Sequence, residues 1–471
     1  MTMPASGPLN MGGTSSPVSV AQELGLSLTA TITMNDAAVR TLAGVGGTGT
    51  TWSMNSLYGK SNISYWISLT TTSSTNLLVT SISVGPSKAI HTGGSDTFNG
   101  SSHDTYFRKI NNDSGANTSS NKLSAGSGTG DNVSSVDSSG NQAAANGAPT
   151  SNAFRVYYLN SSNVVQWVHA ASLSGTSFKM ASAKPFGSAI YYSGIGDPAG
   201  AFIAKVNSAG NVWMKKSNQP LNNIGGAKLS IDASENTYLA LRFNEIQKIN
   251  SSGNIVWQNL YDTFVKRGSG DLNSAGSNYY TFGSFGGINR DVVLLKINAS
   301  TGGSPIWSMK LTSPAGITID TVGFTEAAVD SSENIFCSCL AYDGSGRYRV
   351  YLFKYNSSGT LQWQRQIEVT GRNIVNAVLT TNSDGVVIVS LSVPVTKDGE
   401  LTLKLPSDGS KTGTYTVGSL SVVYSAASFT AASATVATGG GSVTLSNYGA
   451  SFFSGGFTTA ALTVTTTAVS I

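Results

Sequence analysis

His91, His103 and His169 are the only histidines in the 471 residues, and none stands in a nucleophile or metal-ligand motif. No His-x-x-x-His spacing occurs, which removes the usual helix-borne pair of metal ligands. Cys337 and Cys339 are the only cysteines. Two residues apart on a strand, they point to the same face with Cα atoms roughly 6–7 Å apart, at the margin of disulfide geometry. A metal or redox role would need further ligands, and none is evident, so both are expected to pack as small apolar side chains. A chain of this size without a disulfide framework fits synthesis in a reducing cytoplasm. Carboxylates could still form an acid–base pair, because a repeat fold can bring distant Asp and Glu into one pocket. The aspartates whose positions can be read, however, lie in turns. No catalytic residue, metal or cofactor is therefore expected.

What recurs is a strand–turn–strand unit. Lys205-Val206-Asn207-Ser208-Ala209-Gly210-Asn211-Val212-Trp213 has close copies from Lys248 to Trp257, Lys296 to Trp307 and Lys354 to Trp363. A weaker copy, Tyr158 to Trp167, lacks both the lysine and the glycine. Tryptophans at 167, 213, 257, 307 and 363 are spaced 46, 44, 50 and 56 residues apart, near the period of roughly 40–50 that marks a β-propeller with one four-stranded blade per repeat. A second unit, a polar turn before an apolar strand, is clearest at Asp232 and Asp330 and recurs at Asp137 and Asn382. The hairpin unit falls at Lys109, Tyr158, Lys205, Lys248, Lys296, Lys354 and Lys404, and the polar-turn unit can also be placed seven times, so the expectation is seven blades. Either the strand from Trp66 or that around Tyr415 could close the ring.

These residues have structural roles first. Asp and Asn bond backbone N–H groups two residues on and fix tight turns. Tryptophan supplies large apolar area between blades. Each lysine is expected to lie along a strand with its stem packed and its head in water.

Glycine numbers 53, and charged residues make up only 11%, well below the usual quarter. Such a chain is rich in strands and turns. The net charge of +4, with no basic stripe, predicts no nucleic-acid partner. Apolar runs are short and broken by Ser, Thr and Gly, so no membrane span is expected, and the first residues lack the basic start and apolar core of a signal peptide. The expected organisation is all-β around a propeller. Residues 1–62 form a small mixed module with helical signals at Ser19–Leu24, Asn35–Gly44 and Ser53–Gly59 and a strand at Leu28–Met34. Residues 63–425 form the propeller, interrupted by a low-complexity loop insertion at 111–152. Residues 426–471 form a last β-rich segment. From Thr412 to Ile471 no charged residue occurs. Charges normally protect sheet edges, so these edges are expected to be covered by another chain or a larger assembly, through oligomerisation or packing.

On these motifs, residues 63–425 resemble the seven-bladed bacterial β-propeller repeat family, which implies a scaffold and no fixed reaction. The hairpin Asn298–Trp307 also resembles the tryptophan-docking repeat of quinone-cofactor dehydrogenases, but Ser338 separates the two cysteines that many of those enzymes join. In the N-terminal module, Gly7-Pro8-Leu9-Asn10-Met11-Gly12-Gly13, Glu23–Ser27, Ile32–Gly44 and Trp52–Lys60 resemble a segment of bacteriophage tail-associated structural proteins, notably those of marine and cyanobacterial phages. This resemblance implies a virion protein made in the host cytoplasm. Residues 1–62 would contact other tail proteins, and an outward domain would act as adhesin or spacer against a host surface glycan. It also implies a homo-oligomer, a trimer as in phage fibres. A bacterial surface adhesin or a glycan-cleaving enzyme are the alternatives.

Overall fold

In the computed structural model the described residues are 20–24, 33, 34, 36–43 and those from 63 to 471 outside 73–76, 96–103, 125–131, 149–152, 173–176, 198–199, 218–228, 243–244, 262–268, 285–290, 321–324, 385–386, 394–398, 441–443, 448–450, 455–457 and 462–463. The chain divides into a small unit, Met1–Tyr65, and a large one, Trp66–Val469.

In the small unit two expected helices form, Val20–Glu23 and Ala37–Ala43. The second follows Asp36, whose carbonyl accepts the Arg40 N–H at 2.9 Å. Asp36 aims its carboxylate backward, taking the Thr33 N–H and hydroxyl at 2.8 Å each. These bonds hold its pKa below the usual value. The expected strand at Leu28–Met34 and helix at Ser53–Gly59 fall largely or wholly outside the described residues.

The large unit is a β-propeller. Among the described residues its strands form seven antiparallel sheets in chain order, drawn from residues 78–124, 132–172, 177–217, 230–261, 269–312, 317–369 and 376–405. Packing runs between consecutive sheets and from the seventh back to the first. The middle strands read as continuous apolar runs because neighbouring sheets cover both faces. Ile335–Asp343 is buried along its first seven residues, and Val387–Val393 throughout. The fourth strands alternate, as half-covered strands do.

Ring closure is made by Trp66–Thr71, which pairs antiparallel with Gly399–Leu405 as the fourth strand of the seventh sheet. Trp66 stands opposite Lys404, the same register that sets Trp213 opposite Lys205 and Trp363 opposite Lys354. Tyr415 instead lies on Gly413–Val417, which pairs with Leu420–Ala426 on the sixth sheet.

Two sequence expectations are corrected. The stretch 111–152 is not a loop insertion. It holds the strands Asn117–Ser124, Asn132–Val136 and Gln142–Ala148, which complete the first sheet and begin the second. Small polar residues suffice there because serine–serine and serine–backbone bonds join the inner strands, as from the Ser134 N–H to Ser81 Oγ at 2.9 Å.

The C-terminal segment is not a separate module either. Leu420–Ala426 adds a fifth strand to the sixth sheet. Thr430–Ser433 then adds one to the fifth sheet, Thr438–Gly440 to the fourth, Leu445–Asn447 to the third, Ser451–Ser454 to the second, Thr458–Ala461 to the first and Thr465–Ser470 to the seventh. The segment therefore runs back around the ring as a belt. Its inner edge needs no charge because every belt strand is paired within the chain. Apolar or small residues recur every seventh position, at Phe429, Val436, Val443, Ala450, Phe457, Val464 and Ile471, a period that matches the step from one belt strand to the next. Phe429 is buried against Tyr351 and Phe353, with ring centroids 4.9 and 5.0 Å away. Val436, Val464 and Ile471 pack on three other clusters of the ring. Seven residues reach at most roughly 25 Å, enough for one step between sheets.

Candidate functional site

The repeat residues meet at the seams between sheets. In six of the seven hairpins an asparagine caps the turn, as Asn356 Oδ1 accepts the Ser358 and Thr360 N–H groups at 3.1 and 2.9 Å, and in the seventh Asp408 takes that role, accepting the Ser410 N–H at 2.8 Å. Asp137, Asp232 and Asp330 act likewise in the other turns. These turns set a backbone carbonyl against the preceding sheet. Trp257 Nε1 and Lys248 Nζ both donate to the carbonyl of Ala299, at 3.1 and 3.3 Å. Trp307 and Lys296 converge on Ser357, Trp363 and Lys354 on Ser407, and Trp66 and Lys404 on Asn112. Trp213 donates alone to Ser251 at 2.8 Å.

The lysine heads are not in water as expected. Lys205, Lys248, Lys296 and Lys354 lie over the rings of Tyr191, Tyr238, Tyr280 and Phe336 at 5.2–5.4 Å. A desolvated ammonium gains from the ring quadrupole and from a charge-assisted bond to the carbonyl. Glu235 and Glu333, from the next sheet, add a carboxylate to Lys205 and Lys296. Bonds from Lys205 and Tyr191 pull the Glu235 pKa down.

The hairpin glycine completes each clasp. A Cβ on Gly302 would stand 2.7 Å from Trp257 Cδ2, and Gly253, Gly359 and Gly409 meet Trp213, Trp307 and Trp363 in the same way. Gly302 and Gly303 both have positive φ, 65° and 82°, but nothing lies within 4 Å of a Cβ on Gly303. Gly303→Ala is expected to cost about 1–2 kcal/mol for its backbone alone, and Gly302→Ala about 1–3 kcal/mol more for crowding the indole. Denaturant midpoints of the two variants measure the difference, and equal midpoints would mean that the indole yields freely.

Two seams depart from this pattern. Between the second and third sheets, Tyr158 replaces lysine and stacks on Trp167 at 5.3 Å, while His169 Nε2 lies 2.8 Å from the carbonyl of Asn207. Between the first and second sheets the described residues form no clasp. Lys109 stands opposite Ser119 where the others face tryptophan, and His91 takes the place of the ring. Asn163, with φ 62°, replaces the glycine of the following turn, and its amide donates to Ser119 Oγ at 3.2 Å. Gly140 stands where Glu235 and Glu333 stand. The vacated space is an open groove of about 460 Å³, lined by His91, Lys109, Gly140 and Ser161 together with Pro86, Ser87, Asn111, Asp113, Thr118 and Ser139. This is the candidate site. Its volume falls in the range of small-molecule sites, roughly 300–1,000 Å³, and its polar groups suit hydroxyl-bearing ligands.

Burial, and after it the charge of Lys109, pushes the His91 imidazole down from 6.5 to about 4. Gln142 Nε2 lies 3.4 Å from its Nδ1, as a neutral ring allows. The folded protein thus binds fewer protons than the unfolded chain between pH 4 and 6.5. Stability from this group is complete above pH 6.5 and is lost as the pH falls toward 4, by up to about 3 kcal/mol. His91→Phe should flatten that part of the acid limb in a melting-temperature profile, and an unchanged limb would exclude His91 as its source.

Lys109, Lys205, Lys248, Lys296, Lys354, the five repeat tryptophans and the three aspartates thus lie at seams and turns of the ring. Sequence reading gave no site role to His91, Ser119, Gly140 or Asn163. The available signal was departure from the repeat, namely no tryptophan after Lys109 and no glycine after Asn160. Cys337 and Cys339 are both buried between the fifth and sixth sheets, and burial raises both thiol pKa values. Among the described residues no three His, Cys, Asp or Glu side chains gather as a metal site, and no helix is long and apolar enough to cross a membrane. No protein-family model and no curated protein sequence matches the chain.

Proposed function

We propose that this chain is a structural protein of a bacteriophage virion, a tail-fibre or tail-tip component that contributes to host attachment without a catalytic step. In this reading the seven sheets are the seven blades of one ring. Residues 1–62 seat the subunit on other tail proteins, and the propeller presents a sugar-binding surface, repeated in a homo-oligomer so that weak contacts add. The observation that carries the attachment role is the contrast between seams. The repeat's charged side chains are occupied in fastening sheets, and the seam without a clasp opens a groove of hydroxyl and amide groups around a lysine. The virion location rests on the resemblance of residues 1–62.

Immunogold electron microscopy with antibody to the propeller, on particles from a lysate of the source, tests this reading. Gold at the tail fibres or tail tip is the expected result. Gold on the head would remove attachment as the main role. Labelled cell envelopes with bare particles would favour a bacterial surface adhesin.

A further inference from the structure

We infer that the groove between the first and second sheets recognises a carboxylate-bearing sugar, with Lys109 as the group that binds the acid. This rests on the reading of the protein as a glycan-binding attachment protein and names the class of glycan. The argument comes from the molecule's own repeats. At two equivalent seams a carboxylate of the following sheet meets the lysine, Glu333 beside Lys296 at 3.4 Å and Glu235 beside Lys205. Lys248 and Lys354, which have no such glutamate, still donate to the carbonyl of the next turn at 3.3 and 3.0 Å. Lys109 has neither, and among the described residues its ammonium makes no hydrogen bond or ion pair. Gly140 leaves open the position that the glutamates fill, and both Gly140 and Lys109 line the groove.

A half-buried ammonium without a partner costs free energy that an arriving anion offsets. A carboxylate entering beside Gly140 would repeat the Glu333–Lys296 contact. The sugar ring attached to it would lie among Ser87, Thr118, Ser139 and Ser161, whose hydroxyls donate or accept. The other charged side chain lining the groove, Asp113, accepts from Asn112 Nδ2 at 2.8 Å and also acts on Lys404, away from this seam. His91 is neutral at pH 7, so Lys109 is the cation of the groove.

The test is calorimetric titration of the full chain with oligogalacturonate and with its methyl ester. The acid form is expected to bind about ten- to a hundredfold more tightly than the ester. Gly140→Glu, which supplies the carboxylate in the chain, and Lys109→Met should each abolish that preference. Glu235 and Glu333 occupy the same turn position with φ near 60°, so Gly140→Glu should fold. Ser161 Cβ would lie 3.0 Å from the new Cβ and must give way slightly, and Lys109→Met covers the case in which it does not. Equal binding of acid and ester, retention of the preference in both variants, or no binding of the acid form would overturn the inference. Binding of labelled protein to host cells, measured alongside, separates that outcome from failure of the attachment reading. Cells still bound would leave attachment standing with a different ligand class.

Discussion

Deleting residues 428–471 is expected to lower the melting temperature by about 10 °C or more, corresponding to at least about 5 kcal/mol. The deletion removes the strands that edge six of the seven sheets. It also removes Phe429, whose ring fills a gap between Tyr351 and Phe353. Truncating a buried phenylalanine alone costs about 3–5 kcal/mol, and a domain has only about 5–15 kcal/mol in total. The backbone gives a second reason. Phe429 N–H donates to Gln364 Oε1 and its carbonyl accepts from Gln364 Nε2, at 2.6 and 3.0 Å, so the belt is bonded to its sheet beyond the strand ladder. The belt also finishes on the seventh sheet against Trp66–Thr71, where the Thr70 and Thr466 hydroxyls lie 3.2 Å apart. The strand that closes the ring is thereby covered on both edges and cannot peel outward while the belt is in place. Thermal melting of the truncated chain beside Phe429→Ala measures the effect. Equal melting of truncated and full chains would show that the four-stranded sheets suffice.

The propeller was legible because tryptophan, asparagine and glycine recur together in one hairpin unit, and each has a local physical reason to do so. Lys404 and Trp66 show what spacing could not give. They form a clasp of the same kind as Lys354 and Trp363, but the two halves stand at opposite ends of the sequence, so only the closed ring pairs them. The belt was hidden for another reason. A seven-residue apolar spacing in short Ser/Thr/Ala strands is not the alternation of a strand and lacks the regular i+3 and i+4 members of a helical face, because it records the step between sheets and not the path within one. Likewise, lysine heads were placed in water because a lone lysine on a strand usually snorkels. The rings that hold Lys248 and Lys296 come from the second strand of the same sheet, and their acceptors from the next sheet. The groove could be read only as missing letters at Ser119, Gly140 and Asn163, and an absent residue carries no chemistry until its neighbours are known.

Glu400→Gln is expected to cost about 3–5 kcal/mol, the penalty for stranding one partner of a buried ion pair. Arg108 of the first sheet and Glu400 of the seventh meet at 2.8 Å with side-chain exposures of 1% and 0%, an ion pair without hydrogen-bond alignment at Nη1. Burial pushes the Glu400 pKa up, but the charge of Arg108 and hydroxyl bonds from Ser390 at 2.8 Å and Tyr106 at 2.9 Å outweigh it, and the net shift is downward. Arg108 in turn donates from Nη2 to Thr70 Oγ1 at 2.7 Å, on the closing strand. One ion pair thus ties together the first sheet, the seventh sheet and the strand that joins them. Since the folded pKa is depressed, its contribution is complete above the ordinary glutamate value and is lost as the pH falls through the lowered one. Wild type should therefore weaken at acid pH by a step that Glu400→Gln lacks. Replacing both partners by apolar residues, Arg108→Met with Glu400→Leu, removes the desolvation cost along with the attraction and should recover most of the lost stability. Melting temperatures of the single and double variants from pH 3 to 8 give both comparisons. A single variant as stable as wild type would mean that the seam is held by the Trp66 clasp and the belt alone.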